Sequence, residues 1–314
     1  MISDFGIIKD PLHKIPILAV RPGIEVLLSL HVGDDPEVIW ELWQYLTAKV
    51  AAKAMFVYDN RPDKGALKHT EEFHQTELRE AFESACRGPE YPSRIDWASI
   101  RWADTDSADR LPAWSCSCTF GWISEYSDPR GCSLQVTVPF DWPMHKFSAI
   151  ARTIAVQWHE ILCWISVGFR FVPVCCHSRF FEESLAAIFY CSKRFLTIDV
   201  GDQLGLYTSF WQNQIRTVNW CTIVGPKLAA LLPMMNVEQY TKTAGKSIDI
   251  EDIGNSRCYR ADEDPSLGDI NRGESALTYQ LLDNELHTIR ADGGVNFLSP
   301  WGTKSSGEWL RRWR

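Results

Sequence analysis

The 314-residue chain has no apolar run near the roughly 20 residues that a membrane-crossing helix needs; its longest, around "ILCWISVGF" at 161–169, falls far short. It also lacks an excess of basic charge. Lys and Arg number 32 against 40 Asp and Glu, giving a formal net charge of -8 and a pI near 5.5, a balance that argues against nucleic acid or an anionic membrane as partner. No Gly-x-Ser-x-Gly elbow, Walker loop or Gly-x-Gly-x-x-Gly turn occurs, which removes the motif-level case for an α/β-hydrolase, a P-loop enzyme or a dinucleotide fold. No lysine follows an acid by two residues, so the acid-x-Lys pair of many metal-dependent nucleases is missing. The first residues lack a basic start, an unbroken apolar stretch and a small-residue cleavage site, and the expectation is a cytoplasmic protein.

Metal and thiol chemistry is thinly represented. The ten cysteines are scattered through apolar segments such as "ILCWISV" and "NWCTIV", where free cysteine behaves as a small hydrophobe. Cys116/Cys118 and Cys175/Cys176/His177 are spaced too closely for ordinary zinc ligation, which leaves two to four residues between ligands. His69 and His74 stand five apart, a spacing that splays them on a helix rather than stacking them, and "WHEIL" has only the His-Glu half of a zincin motif. No cofactor, metal or catalytic residue is expected. A cysteine- or metal-dependent hydrolase remains the alternative, because Cys and His partners can meet through the fold alone.

What is present suffices for a large core: 45% hydrophobic residues and 14 tryptophans. "GIEVLLSLHV" (23–32) reads as a buried strand, with Asp35 as N-cap and Pro36 opening a helix along Ile39, Leu42, Trp43, Leu46 and Val50. "AMFVYD" is a second strand, and "TEEFHQTELREAFESAC" a polar helix. "IDWASIRWA", "WSCSCTFGWIS" and "CSLQVTVPF" are separated by the punctuation of antiparallel connections. "HKFSAIARTIAVQWHEILCWI" has a helical stripe through Phe147, Ile150, Ile154, Trp158, Ile161 and Ile165. "SVGFRFVPVCC", a helix over "FEESLAAIFYCSKRF", polar strands after residue 236, a helix over "ESALTYQLLDNELHTI" and the tail "WLRRWR" follow. These elements predict an α+β protein, its mixed or antiparallel sheets flanked by helices, in two abutting lobes at 1–165 and 166–314; a single compact unit remains open.

Charge is concentrated in one place. Residues 247–269 carry Asp249, Glu251, Asp252, Asp262, Glu263, Asp264 and Asp269 against Arg257 and Arg260. Such a run is either a solvated loop or a docking face for a basic partner. Strand alternation in "SIDIEDI" puts Asp249 and Glu251 on one side.

The stretch "RTVNWCTIVGPKLAALL" (216–232) reads as an internal strand, with Val218, Trp220, Thr222 and Val224 on one face and Thr217, Asn219, Cys221 and Ile223 on the other. Asn219 then needs a partner, expected to be backbone of an adjacent segment. Gly225 permits a sharp exit, and Pro226 starts a helix that sends Leu228, Leu231 and Leu232 into the core. Nothing nucleophilic projects from this corner, so Asn219, Trp220, Gly225 and Pro226 are scaffold.

"IRTVNWCTIVGPKLAALL" resembles the signature of the type VI secretion immunity family associated with VRR-Nuc and related nuclease effectors. "RFLTIDV" (194–200), "SLGDINRGESALTYQLLDNELHTIR" (266–290) and "LQVTVPFDW" are similar to further segments of that family, and the likeness runs through most of the chain in order. The chain departs from the pattern at "LPMM" (232–235), where members often have a paired glycine turn. The resemblance implies a non-catalytic antitoxin that binds a cognate secreted toxin in the cytoplasm, a restriction-endonuclease-like enzyme with a basic cleft, and occludes its active site or substrate path. It carries over no catalytic residue, fixes no interface position, and leaves a homodimer open.

Overall fold

β-Branched and aliphatic residues fill "PILAVRPGIEVLLSL", which forms the long central strand of a sheet that takes in both halves of the chain. The computed structural model describes residues 6–10, 14–31, 34–50, 56–59, 68–69, 76, 79–80, 83, 97–105, 110–121, 130–173, 178–200, 214–232, 248–291 and 302–313. Among these, twelve strands make one sheet: β1 (Ile7–Lys9), β2 (Pro16–Leu30), β3 (Phe56–Asp59), β4 (Lys68–His69), β5 (Trp97–Ala103), β6 (Ser115–Gly121), β7 (Arg130–Thr137), β8 (Leu162–Pro173), β9 (Asp199–Val200), β10 (Cys221–Val224), β11 (Asp249–Ile253) and β12 (Ser256–Arg260). Its main path runs β11-β12-β10-β8-β2-β7-β6-β5-β3-β4. Pairing is antiparallel except between β8 and β9. The helices are α1 (Pro36–Val50), α2 (Met144–Gln157), α3 (Ser178–Arg194), α4 (Pro226–Ala229), α5 (Leu277–Glu285) and α6 (Gly302–Leu310). This is the α+β class expected. The expected boundary at 165/166 falls inside β8, which pairs with β2 on one side and β10 on the other.

Helices cover both faces of the sheet. On one, Ile24, Val26, Leu134, Val136, Ile165 and Val167 meet α1 and α2; Trp43 of α1 packs on Trp102 at 4.8 Å between ring centres, and Ile150 and Ile154 of α2 are buried. α1 starts as its sequence indicates, with Asp35 Oδ1 accepting the Glu37 N–H at 3.0 Å. The opposite face carries Glu25, Ser166 and Arg170 and lies under α3, the segments at 195–200 and 214–220, and the C-terminal helices. Residues Ile17 to Leu30 of β2 are consequently all buried, as befits a strand covered on both sides.

Four local expectations are corrected. The helix from 145 does not reach 165: it stops at Gln157, Trp158 leaves helical geometry (φ -117, ψ 29), and Ile165 lies in β8. Pairing with β2 and β10 outweighs helical periodicity in a segment rich in β-branched and aromatic residues. Only Cys221–Val224 of the 216–224 stretch is strand; residues 216–220 are irregular yet buried. Leu231 is 60% exposed, while Leu228 and Leu232 are buried. Gly225 has an ordinary φ of -69; a Cβ there would lie 2.0 Å from the Leu162 carbonyl oxygen, so glycine is needed for close approach to β8 rather than for an unusual turn. The polar helix expected over 70–86 lies mostly outside the described residues.

Candidate functional site

β11 and β12 form a hairpin at the end of the sheet, turned through Gly254 (φ +59) and Asn255. A glycine at the first turn position suits a two-residue connection, whose backbone needs positive φ. Alternation along β11 places Asp249 and Glu251 on the α2 side, as the sequence predicts, and Asp252 on the other. Each acid meets an arginine. Asp249 pairs with Arg260, Glu251 with Arg152 of α2 at 2.5 Å, and Asp252 with Arg257 at 2.7 Å. The three acidic side chains remain 60%, 53% and 69% exposed.

The remaining predicted acids separate into two kinds. Glu263 and Asp264 are exposed in the loop after β12. Asp262 is half-buried: its carboxylate accepts from Thr278 Oγ1 at 2.5 Å, and its carbonyl oxygen accepts from Trp220 Nε1 at 2.8 Å. Asp269 is 3% exposed and tied inward. Arg194 donates to both its oxygens, at 2.7 and 2.6 Å, and the Asn271 N–H adds a third bond. Those donors, led by the Arg194 hydrogen bond, hold its carboxyl below the usual carboxylate value. Asp269 therefore fastens α3 to the loop before α5 and is not part of the exposed face.

Asn219 is buried, as expected, with a different set of partners. Its Nδ2 donates to Ser166 Oγ at 3.2 Å, and its Oδ1 accepts the N–H of Trp220 at 2.9 Å. The amide lies directly over Gly168, where a Cβ would come within 1.8 Å of Oδ1. Pro226 is the first residue of α4. Asn219, Trp220, Gly225 and Pro226 thus join β8, β10 and the loop after β12 in one buried corner.

Beside that corner is a group that the sequence reading missed. Glu25 of β2, Arg170 of β8, Asp199 of β9 and Arg216 form a closed ionic square, each side chain 1–2% exposed. Both arginines bond Glu25 Oε2 at 2.8 Å, and both reach Asp199 Oδ2, at 3.0 and 2.7 Å. Ser133 and Gln135 donate to Glu25 Oε1 at 3.0 and 3.1 Å. Burial pushes the Glu25 carboxyl up, but the charges and hydrogen bonds of Arg216 and Arg170 outweigh it, holding it down at about 2. A second buried pair, Asp283–Arg290 at 2.7 Å, anchors α6, since Arg290 also donates to the Leu310 carbonyl at 2.7 Å. The sequence signalled the burial but not the pairing: single charges embedded in the apolar runs "GIEVLL", "GFRFV", "TIDV" and "QIRTV" need countercharges if those runs are buried.

Several of the described thiols are held protonated by burial. Burial raises Cys116 and Cys118, and pushes Cys163 up to about 12, which keeps them protonated near neutral pH. Cys221 and Cys258 lie 3.6 Å apart; their mutual hydrogen bond raises Cys221 and lowers Cys258, which is 2% exposed. Among the described residues no three His, Cys, Asp or Glu side chains gather in a metal-holding group, and no helix is long and apolar enough to cross a membrane.

No family model matches the chain, and no curated protein matches it. Among solved structures, the T6SS (type VI secretion system) protein PA0821 of Pseudomonas aeruginosa superposes with a TM-score of 0.70 at 14% identity, over 98% of this chain and 87% of that one. The chain therefore shares its fold, nearly end to end, with a T6SS protein.

Proposed function

We propose that this protein is an immunity protein of a type VI secretion system: it binds a cognate effector toxin, a nuclease with a basic active-site cleft, and occludes that site or the path to it. The fold shared with a T6SS protein over nearly the whole chain carries this reading. Two observations support it. The segments at 194–200, 216–232 and 266–290 resemble an immunity family paired with nuclease effectors, and the net charge of -8 complements an enzyme built to hold a polyanion. The protein acts in the cytoplasm by binding and performs no reaction. The alternative, a cysteine- or metal-dependent hydrolase, draws no support from Cys116, Cys118 and Cys163, which burial holds protonated.

Co-expression with a nuclease toxin encoded beside its gene, where the cognate effector of an immunity protein is expected, tests this. A stoichiometric complex of roughly nanomolar affinity, and survival of toxin-expressing cells only when this protein is present, are expected. Cells that survive equally well without it, or turnover of a phosphodiester or ester by the purified chain, would overturn the proposal.

A further inference from the structure

β11 ends the sheet, and among the described residues it pairs with β12 alone. Its hydrogen-bonding pattern follows from its neighbour. Ala261 donates its N–H to Trp220 on the β10 side, so alternate residues Tyr259 and Arg257 also point that way, while Arg260, Cys258 and Ser256 point to β11. Asp249, Glu251 and Ile253 therefore use their backbone groups on β12. The N–H and C=O of Ile250 and Asp252 face outward.

We infer that this outer edge is the docking site for an extended, lysine- or arginine-bearing segment of a partner protein, which adds a strand beside β11. That the partner is the toxin rests on the reading above; the edge itself does not. Three features fit a basic strand. Asp249, Glu251 and Asp252 project from both faces of the edge with more than half of each side chain in solvent, and the pairs Asp249–Arg260 and Glu251–Arg152 are exposed ones of the weak kind that a partner's cation can displace. Glu263 and Asp264 are exposed in the loop that leaves β12, and their charge adds to the net -8 that attracts a basic partner at long range. A groove of about 390 Å³ borders the edge between α2 and β11, lined by Arg152, Val156, Gln157, Glu251 and Ile253. Val156, 55% exposed, gives it an apolar floor. Side chains of an added strand on that face would lie in this groove, alternate residues offering apolar contact or charge. A second copy of β11 would set acids against acids, so the same charges that discourage self-pairing select a basic strand.

The experiment compares Asp252→Pro with Asp252→Ala. Both lose the carboxylate, but only proline removes the outward N–H, at a position whose N–H does not serve β12. Binding to the adjacent-gene toxin is expected to weaken about tenfold or more for Asp252→Pro relative to Asp252→Ala, and amide exchange at Ile250 and Asp252 to slow in the wild-type complex. Equal affinity of the two variants in a complex that still forms would overturn the edge and leave the immunity reading standing. Should Asp252→Pro not fold, the triple variant Asp249→Asn, Glu251→Gln, Asp252→Asn takes its place. Slower association with a flatter salt dependence supports the proposal, and unchanged kinetics overturns it. If no toxin complex forms, a synthetic Lys-Val-Lys-Val-Lys-Val-Lys peptide decides at low ionic strength. Protection confined to Ile250 and Asp252 then upholds the edge while the immunity reading fails, and no protection removes both. Sedimentation showing a wild-type dimer that Asp252→Pro dissociates would identify a second copy as occupant and defeat the basic-partner inference.

Discussion

The structure contains two groups of arginine-carboxylate pairs built from the same chemistry and put to opposite ends. In the ionic square of Glu25, Arg170, Asp199 and Arg216, every side chain is 1–2% exposed and each charge touches two of the other sign. At the β11–β12 hairpin, Asp249–Arg260, Glu251–Arg152 of α2 and Asp252–Arg257 each join one carboxylate to one arginine, with side chains 19–69% exposed. Charges in the square have no water to return to, so losing one strands the others. Those on the hairpin exchange partners with solvent at little cost. The square fixes how β2, β8, β9 and the 214–220 segment fit together; the hairpin is left free for recognition.

The most severe way to break this comparison is to remove one corner of the square. Arg216→Ala is expected to cost about 3–5 kcal/mol in urea unfolding, because Glu25 and Asp199 lose a buried countercharge. A cost no larger than that of a hairpin variant would mean that water reaches the square. Next is Gly168→Ala. Its Cβ would lie 1.8 Å from Asn219 Oδ1, and the forced displacement should cost about 1–3 kcal/mol. The double variant with Asn219→Ala should lose less than the sum of the two.

Acid tests the buried square directly. Glu25 lies at about 2 against an ordinary 4.5. A carboxyl depressed on folding stabilises fully above its unfolded value and loses that contribution as pH falls through its folded one. Urea midpoints should therefore drop between about pH 4.5 and 2 for the wild type, and less steeply for Glu25→Gln. Asp269, lowered by its bonds from Arg194, adds to the fall in the same direction. The smallest effect belongs to the hairpin: Asp249→Ala should change stability by less than about 1 kcal/mol, and by still less in high salt. A larger, salt-insensitive loss would place that pair with the buried group.

Elements whose cause is local were legible in the chain. Asp35, Pro36 and the stripe through Ile39, Leu42, Trp43, Leu46 and Val50 foretell α1, and all five stripe residues are buried. β5, β6 and β7 were readable as an antiparallel series, and Asn219 as a buried amide needing partners. Where the reading failed, a distant segment intervened. The end of α2 was lost to β8's pairing with β2 and β10, and Gly225 owes its identity to the Leu162 carbonyl. The acidic run from 249 to 269 looked uniform, but the fold divides it: Asp249, Glu251 and Asp252 stand on the edge strand, and Asp269 turns inward to Arg194.

The sequence by itself determined the α+β class, most element positions and the acidic balance, since periodicity, capping and net charge depend on residues within a turn or two, or on composition alone. Only the tertiary structure decided which charges are buried together and which are offered outward. Glu25 meets Arg170 and Arg216 across sequence separations of 145 and 191 residues, and no local pattern encodes a contact between side chains that only the folding of the whole sheet brings to one place.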